Sequence, residues 1–351
     1  MNNSKNYDLV YSNLPLKWEA NVALLRIFAC VFIVIFHTGR NDYLGNLDQI
    51  SPINYLTRHG DIGVDIFFLI TGYLVIKHYK PQDPLNFLIS RAIRLFPLML
   101  LVITSMYILS RLHFANVSEI LFLDYVRAAT LTFQLNPLDT FLPPLWTLVY
   151  QVKFWAAFSL VLLIQLRFNK NNSIVFGSIL LYSYLQFYFY HYSFMQNWGL
   201  GFYGNFLAAG VLLSILKFSN TKRDKIFSIL LLIVTWLNFL TSTKYEPISI
   251  SIIIFSCIIL LFPLDFLFSK KSVLLLRKLD YITYPLYLIH FPFMLFLLRK
   301  LRVLESYQEI IYLLVFVSTI LICYCLNKYF NDPVSKHLTK SLNRFNKSLR
   351  N

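Results

Sequence analysis

Apolar residues in this chain come in long unbroken runs separated by short polar and basic stretches, not in the alternating or amphipathic patterns of a soluble domain. The runs fall at 21–38, 62–77, 95–112, 142–166, 174–191, 200–217, 226–241, 248–267, 281–298 and 309–327. Most approach the roughly 20 residues that an α-helix needs to cross a hydrocarbon layer. They are too long and too uniform for strands. The pattern therefore predicts an all-α integral membrane protein, a bundle of about ten transmembrane helices. Three segments follow from it: a cytoplasmic N-terminal stretch (1–20), a membrane domain (21–330) and a basic cytoplasmic tail (331–351). The first run has no small-residue cleavage site and reads as a retained span.

Composition agrees with the pattern. Of 351 residues 57% are hydrophobic and 14% charged, with a mean hydropathy of +0.57. A soluble domain carries about a quarter charged residues. The net charge of +15 would suggest nucleic acid in a soluble protein. In a membrane protein it reads first as topology. With the N-terminus inside, Arg40, Arg58, Arg111, Arg127, Lys244, Arg299, Lys300 and Arg302 fall outside. Arg26 and Lys153 lie within spans, and the other Lys and Arg fall inside. Both termini are thus expected in the cytoplasm, with no nucleic-acid partner. Cys30 and Cys257 sit in apolar runs and Cys323 and Cys325 form a C-x-C, none with metal-site spacing.

The chemistry is carried by ionisable residues inside the runs, which cost several kcal/mol unless paired or solvated. In "LLRIFACVFIVIFHTGR", Arg26 and His37 have ten residues between them. At about 100° per residue they project from nearly one helix face, about 16 Å apart along the axis. Arg26 would lie towards the cytoplasm and His37 towards the outer surface. A snorkelling arginine and an interfacial histidine would explain them singly; together they read as the wall of a cavity. Asp65 lies near the outer end of the second run. It can pair with and orient the His37 imidazole, or serve its own helix terminus. Gly63 and Gly72 would let helices approach closely there. Arg91 and Arg94 share a helix face on the inner side and suit either topology anchoring or phosphate binding. Gln151 and Lys153 are embedded in "PPLWTLVYQVKFWAAF". Tyr284, Tyr287 and His290 cluster in "DYITYPLYLIHFPF", as a packing surface or as part of a site.

Taken together the motifs resemble the membrane acyltransferase 3 family, which includes O-acetyltransferases of bacterial surface polysaccharides. The resemblance rests on the Arg26–His37 spacing, "GVDIFFLITG", "RAIRLFP", "PLWTL" and "TYPLYLIH", in order from Arg26 to His290. Two places depart from the family. Gln151 stands where a glutamate is usual, and Asn331-Asp332-Pro333 replaces a late E-K-P or E-R-P, with Asp332 one residue late.

The resemblance implies a membrane O-acyltransferase, commonly an O-acetyltransferase, in the bacterial cytoplasmic membrane. It would move an acyl group from cytosolic acyl-CoA, such as acetyl-CoA, to a hydroxyl of a surface or lipid-linked glycan such as lipopolysaccharide. The coenzyme would be a cosubstrate, with no bound cofactor or metal, and membrane lipid and the glycan would be the other partners. His37 and Asp65 would be catalytic, and Arg26, Arg91 and Arg94 would bind the acyl donor. Trp146, Gln151, Lys153, Tyr284, Tyr287 and His290 would line the cavity or touch substrate. His37 could act as general base or as transient acyl carrier. The rival readings are an inactive acyltransferase-like protein and a glycan or lipid transporter. The outer segment 111–141 is the expected glycan contact.

Overall fold

The computed structural model describes residues 19–39, 51–77, 84–112, 120–132, 144–168, 172–189, 200–240, 246–262, 268–295, 297–298 and 308–348. All regular structure among them is helical. Thirteen α-helices follow in order: α1 (Ala20–Gly39), α2 (Ser51–His59), α3 (Ile62–Lys77), α4 (Pro84–Arg111), α5 (Phe122–Thr130), α6 (Leu145–Arg167), α7 (Ser173–Phe189), α8 (Gly204–Phe218), α9 (Lys222–Leu240), α10 (Pro247–Leu261), α11 (Lys270–Ile289), α12 (Gln308–Leu326) and α13 (Asp332–Ser348). Widened π turns follow α11 (His290–Leu295) and α12 (Asn327–Asn331).

Each of the ten apolar runs overlies a helix. Among the described residues, four helical stretches are long and apolar enough to cross a membrane: Ala20–Gly39, Pro84–Arg111, Leu145–Arg167 and Leu313–Arg344. Shorter apolar helices accompany them. The third run begins earlier than its hydropathy suggests, because α4 starts at Pro84 and carries Arg91 and Arg94 on the same continuous helix. The basic tail folds over Asp332–Ser348 as α13. Of the outer segment 111–141, residues 113–119 and 133–141 lie outside the described residues, and the middle forms α5.

Side-chain distribution is that of a protein in lipid. On α9 the buried stripe is Asp224, Ser228, Leu231, Thr235 and Phe239. Ile226, Phe227, Ile229, Leu230, Ile233 and Leu237 face outward. Small polar residues inside and large apolar residues outside reverse the soluble pattern, since lipid offers no reason to hide leucine. On α12, Ile311, Val315, Thr319 and Cys323 point in and Leu313, Leu314, Val317 and Leu321 point out.

The chain forms two compact units: residues 1–29, 62–88 and 150–277 in the first, and 30–61, 89–149 and 278–351 in the second. The first is built on the crossing of α3 and α8, its most extensive helix pairing. At Gly72 a Cβ would strike the Leu207 carbonyl oxygen, and at Gly210 one would strike the Leu69 carbonyl oxygen. Backbone meets backbone at both points, which only glycine allows. A polar knot closes one end. The Glu19 carboxylate accepts the Tyr73 hydroxyl at 3.1 Å and lies 4.0 Å from the Lys217 ammonium. Lys217 donates to the Leu260 carbonyl at 2.7 Å and Asn21 to that of Ile259 at 3.0 Å. The open carbonyls ending α10 thereby gain donors from α8 and α1.

The second unit is organised around prolines inside helices. Pro97 has no N–H for the carbonyl of Ile93, one turn back, and the Ser335 hydroxyl of α13 donates there at 3.1 Å. Pro285 likewise leaves the Tyr281 carbonyl, and Asn327 Nδ2 donates to it at 2.6 Å. Asn331 Nδ2 donates in turn to Asn327 Oδ1 at 2.8 Å, and the Tyr281 hydroxyl donates to Asp332 at 2.8 Å. The π turn after α12 positions this set.

Replacing Gly72 or Gly210 by leucine should destabilise the detergent-solubilised protein by about 1–3 kcal/mol through overpacking, read as a lower thermal midpoint. Asn327→Ala leaves a buried carbonyl without its donor and should cost about 1–3 kcal/mol. Faster hydrogen exchange around Tyr281 would check it.

Candidate active site

His37 sits in the last turn of α1, half-buried, one residue before Thr38. The Thr38 hydroxyl donates back to the Val34 and Ile35 carbonyls at 2.8 and 2.9 Å, so it belongs to the helix backbone. The His37 ring is packed edge-on against Phe36 (centroids 5.2 Å, 70°) and Phe291 (5.4 Å, 84°). Its third aromatic neighbour is His290, at 5.3 Å and tilted 38°. Two imidazoles thus share an aromatic enclosure in the second unit.

His290 is where α11 gives way to the π turn, a form of helix that recurs at functional sites. Its side chain is fully buried. The ring Nδ1 lies 2.7 Å from the Tyr287 carbonyl oxygen and 3.2 Å from that of Leu286. Carbonyl oxygens only accept, so Nδ1 carries a proton, and in the neutral ring Nε2 then carries the lone pair. The local sequence gives the cause. Pro292 has no N–H, and in the five-residue register of a π turn its partner would be the Tyr287 carbonyl. The His290 ring takes that place. No hydrogen bond is made by Nε2 among the described residues.

Tyr287 stands beside His290, with rings 5.9 Å apart. Its hydroxyl lies 2.6 Å from Thr147 Oγ1 and donates to the Pro144 carbonyl at 3.2 Å. Thr147 also donates to Pro144 at 2.9 Å. The "PLWTL" and "TYPLYLIH" segments meet here, at the start of α6. Tyr284 donates to the Leu95 carbonyl at 2.6 Å and acts as a strut between α11 and α4. Cys30 lies against the Thr283 carbonyl at 3.5 Å and ties α1 to α11 just below the histidines.

The remaining candidates divide between the units. Arg91, half-buried, and Arg94, exposed, lie on α4 in the second unit, and Trp146 is half-buried on α6. Arg26, Asp65, Gln151 and Lys153 belong to the first unit. Asp65 is buried in the first turn of α3, and Gln151 is half-buried. Lys153 places its ammonium 5.9 Å from the centre of the Tyr150 ring. Tyr150 packs with Phe68 (6.0 Å) and Tyr203 (5.3 Å), an aromatic cluster that draws in the "GVDIFFLITG" segment. Arg26 and His37 both lie on the continuous helix α1.

Of the residues singled out from the sequence, the second unit therefore brings together His37, Tyr287 and His290. Two neighbours were missed. Phe291 walls the His37 ring, and Thr147 holds the Tyr287 hydroxyl. Thr147 is 140 residues from its partner, and no local pattern encodes such a pairing. The proline two places after His290 was the available signal for the fixed ring.

No curated protein and no solved structure matches the chain. A family model described as an acyltransferase domain matches residues 19–328. That span covers nearly the whole chain, and the chain belongs to this acyltransferase 3 family, a membrane protein with acyltransferase activity as its kind of function.

Proposed function

We propose that this protein is a membrane O-acyltransferase, most simply an O-acetyltransferase, that takes its acyl group from cytosolic acyl-CoA. The acceptor is a hydroxyl of a surface or lipid-linked glycan. In this reading the chain crosses the bacterial cytoplasmic membrane about ten times, with both termini in the cytoplasm. The observation that supports it most directly is α1. One continuous helix carries a guanidinium near its start and, about 16 Å further on, an imidazole enclosed by aromatic rings beside a second histidine. A vectorial transfer needs such a separation, with an anion-binding end on the coenzyme side and a reactive end on the glycan side.

Arg26, Arg91 and Arg94 would hold the coenzyme phosphates, to which planar guanidinium forks are suited. His37 would act at the thioester, as general base or acyl carrier. Asp65 would orient its ring or stabilise its charged form. The aromatic residues around His37 would exclude water, which otherwise competes with the acceptor hydroxyl. The short helix α5 carries exposed Arg127 and Thr130 and a half-buried Asp124 that pairs with Arg127 at 3.6 Å, side chains of the kind that hydrogen-bond sugars. Its tyrosine, Tyr125, packs on Tyr107 at 4.8 Å and fixes α5 to α4.

Mass spectrometry of surface glycan from cells with and without the protein tests the assignment. An acetyl-sized increment should disappear with the protein; a larger one would make the cargo another acyl group, and no change would exclude glycan modification. His37→Ala should reduce transfer by about 10²–10⁴-fold, with the protein still present in the membrane. Arg91→Ala combined with Arg94→Ala should weaken acetyl-CoA binding in a direct titration. Unchanged affinity would return both arginines to topology anchors.

A further inference from the structure

An imidazole that holds an acyl group on one nitrogen is no longer free to take the acceptor's proton there. The second unit supplies another imidazole in the same enclosure. Its Nδ1–H is committed to the Tyr287 and Leu286 carbonyls at 2.7 and 3.2 Å. Its Nε2 is therefore the basic nitrogen, buried and without a hydrogen-bond partner among the described residues. Buried polar atoms in that condition are uncommon in proteins, and each calls for an explanation. The ring centre lies 5.3 Å from that of His37, close enough for both rings to reach one small substrate group.

We propose that His290 is the catalytic base for the acceptor hydroxyl and that His37 is the transient acyl carrier. This rests on the reading of His37 as the reacting residue and adds a division of labour to it. In the first half, a His37 ring nitrogen bonds to the acyl carbon and the carbon–sulfur bond breaks. The coenzyme leaves as a thiolate and takes the proton from the acylimidazolium. In the second half, the acceptor oxygen bonds to the same carbon while its proton passes to His290 Nε2. The carbon–nitrogen bond breaks, and the His290 imidazolium returns that proton to the freed nitrogen of His37. His290 ends as it began, and His37 ends neutral with its proton on the nitrogen that had carried the acyl group; exchange of that proton to the other ring nitrogen readies it for the next cycle. The backbone lock matters to this chemistry, because a ring free to flip or change tautomer would present N–H to the hydroxyl half of the time and could not accept its proton.

Asparagine separates the two functions of the ring. The amide of His290→Asn can take the place of Nδ1–H towards the Tyr287 carbonyl, and it has nothing at Nε2. The full-length variant, in membrane vesicles with radiolabelled acetyl-CoA, should form acetylated protein at His37 and then stall. Transfer to glycan should fall by about 10²–10⁴-fold. Transfer at the ordinary rate, or absence of both label and transfer in a folded His290→Asn protein, would overturn the proposal. His37→Ala run in parallel separates the two levels. If it transfers normally, the reading of His37 itself fails; if it is inactive while His290→Asn is fully active, only the role of His290 fails. Nitrogen-15 spectra of ring-labelled wild-type protein provide a check that needs no variant to fold. His290 should show a protonated Nδ1 and a bare Nε2, and the opposite tautomer would overturn the assignment.

Discussion

In a hydrocarbon medium a backbone carbonyl without a donor has no water to turn to, and the second unit is arranged around that constraint. Prolines inside its helices withhold N–H groups, and side chains supply them instead. Ser335 serves Ile93 behind Pro97, Asn327 serves Tyr281 behind Pro285, and the His290 ring serves Tyr287 behind Pro292. The first two are cross-helix bonds, so the same groups that satisfy the backbone also fix how α13 meets α4 and how the end of α12 meets α11. The third is local, and its product is different: a histidine held in one tautomer. Packing and chemistry are thus linked through a single kind of hydrogen bond.

The first unit solves the packing problem by other means. Lipid gives no net reward for burying leucine against leucine, so helices gain by approaching closely and by sharing polar groups. Gly72 and Gly210 bring α3 and α8 into backbone contact. The Glu19–Tyr73–Lys217 knot ends the bundle with ionic and hydrogen-bonded contacts that also serve the open carbonyls of α10. Lys217 shows how a basic residue can have a second use. Counted in the sequence among the inner basic residues, it uses its ammonium in the structure as the donor to Leu260.

Much of the candidate site was legible from short-range pattern. Arg26 and His37 were found because eleven helical steps return to nearly the same face, and that arithmetic needs only an unbroken helix. Tyr287 and His290 were found because residues three apart are neighbours on any helix. Phe291 went unnoticed because its partner, His37, lies on another helix far away in sequence. Gly72 was visible as a small residue in an apolar run, whereas its counterpart Gly210 acquires meaning only once α8 is known to cross α3.

The sequence by itself determined the helices, their reversal of soluble patterning and the membrane character of the chain, because these depend on run length, composition and a 3.6-residue period. It also carried, as ordered short motifs, the membership of an acyltransferase family. Only the tertiary structure decided that His37 meets His290, that Thr147 holds Tyr287, and that Asn327 completes the backbone at Tyr281. Those pairings join segments 46 to 253 residues apart. No periodicity extends over such distances; they are fixed by which faces pack, and by the need of each exposed carbonyl for a donor within reach.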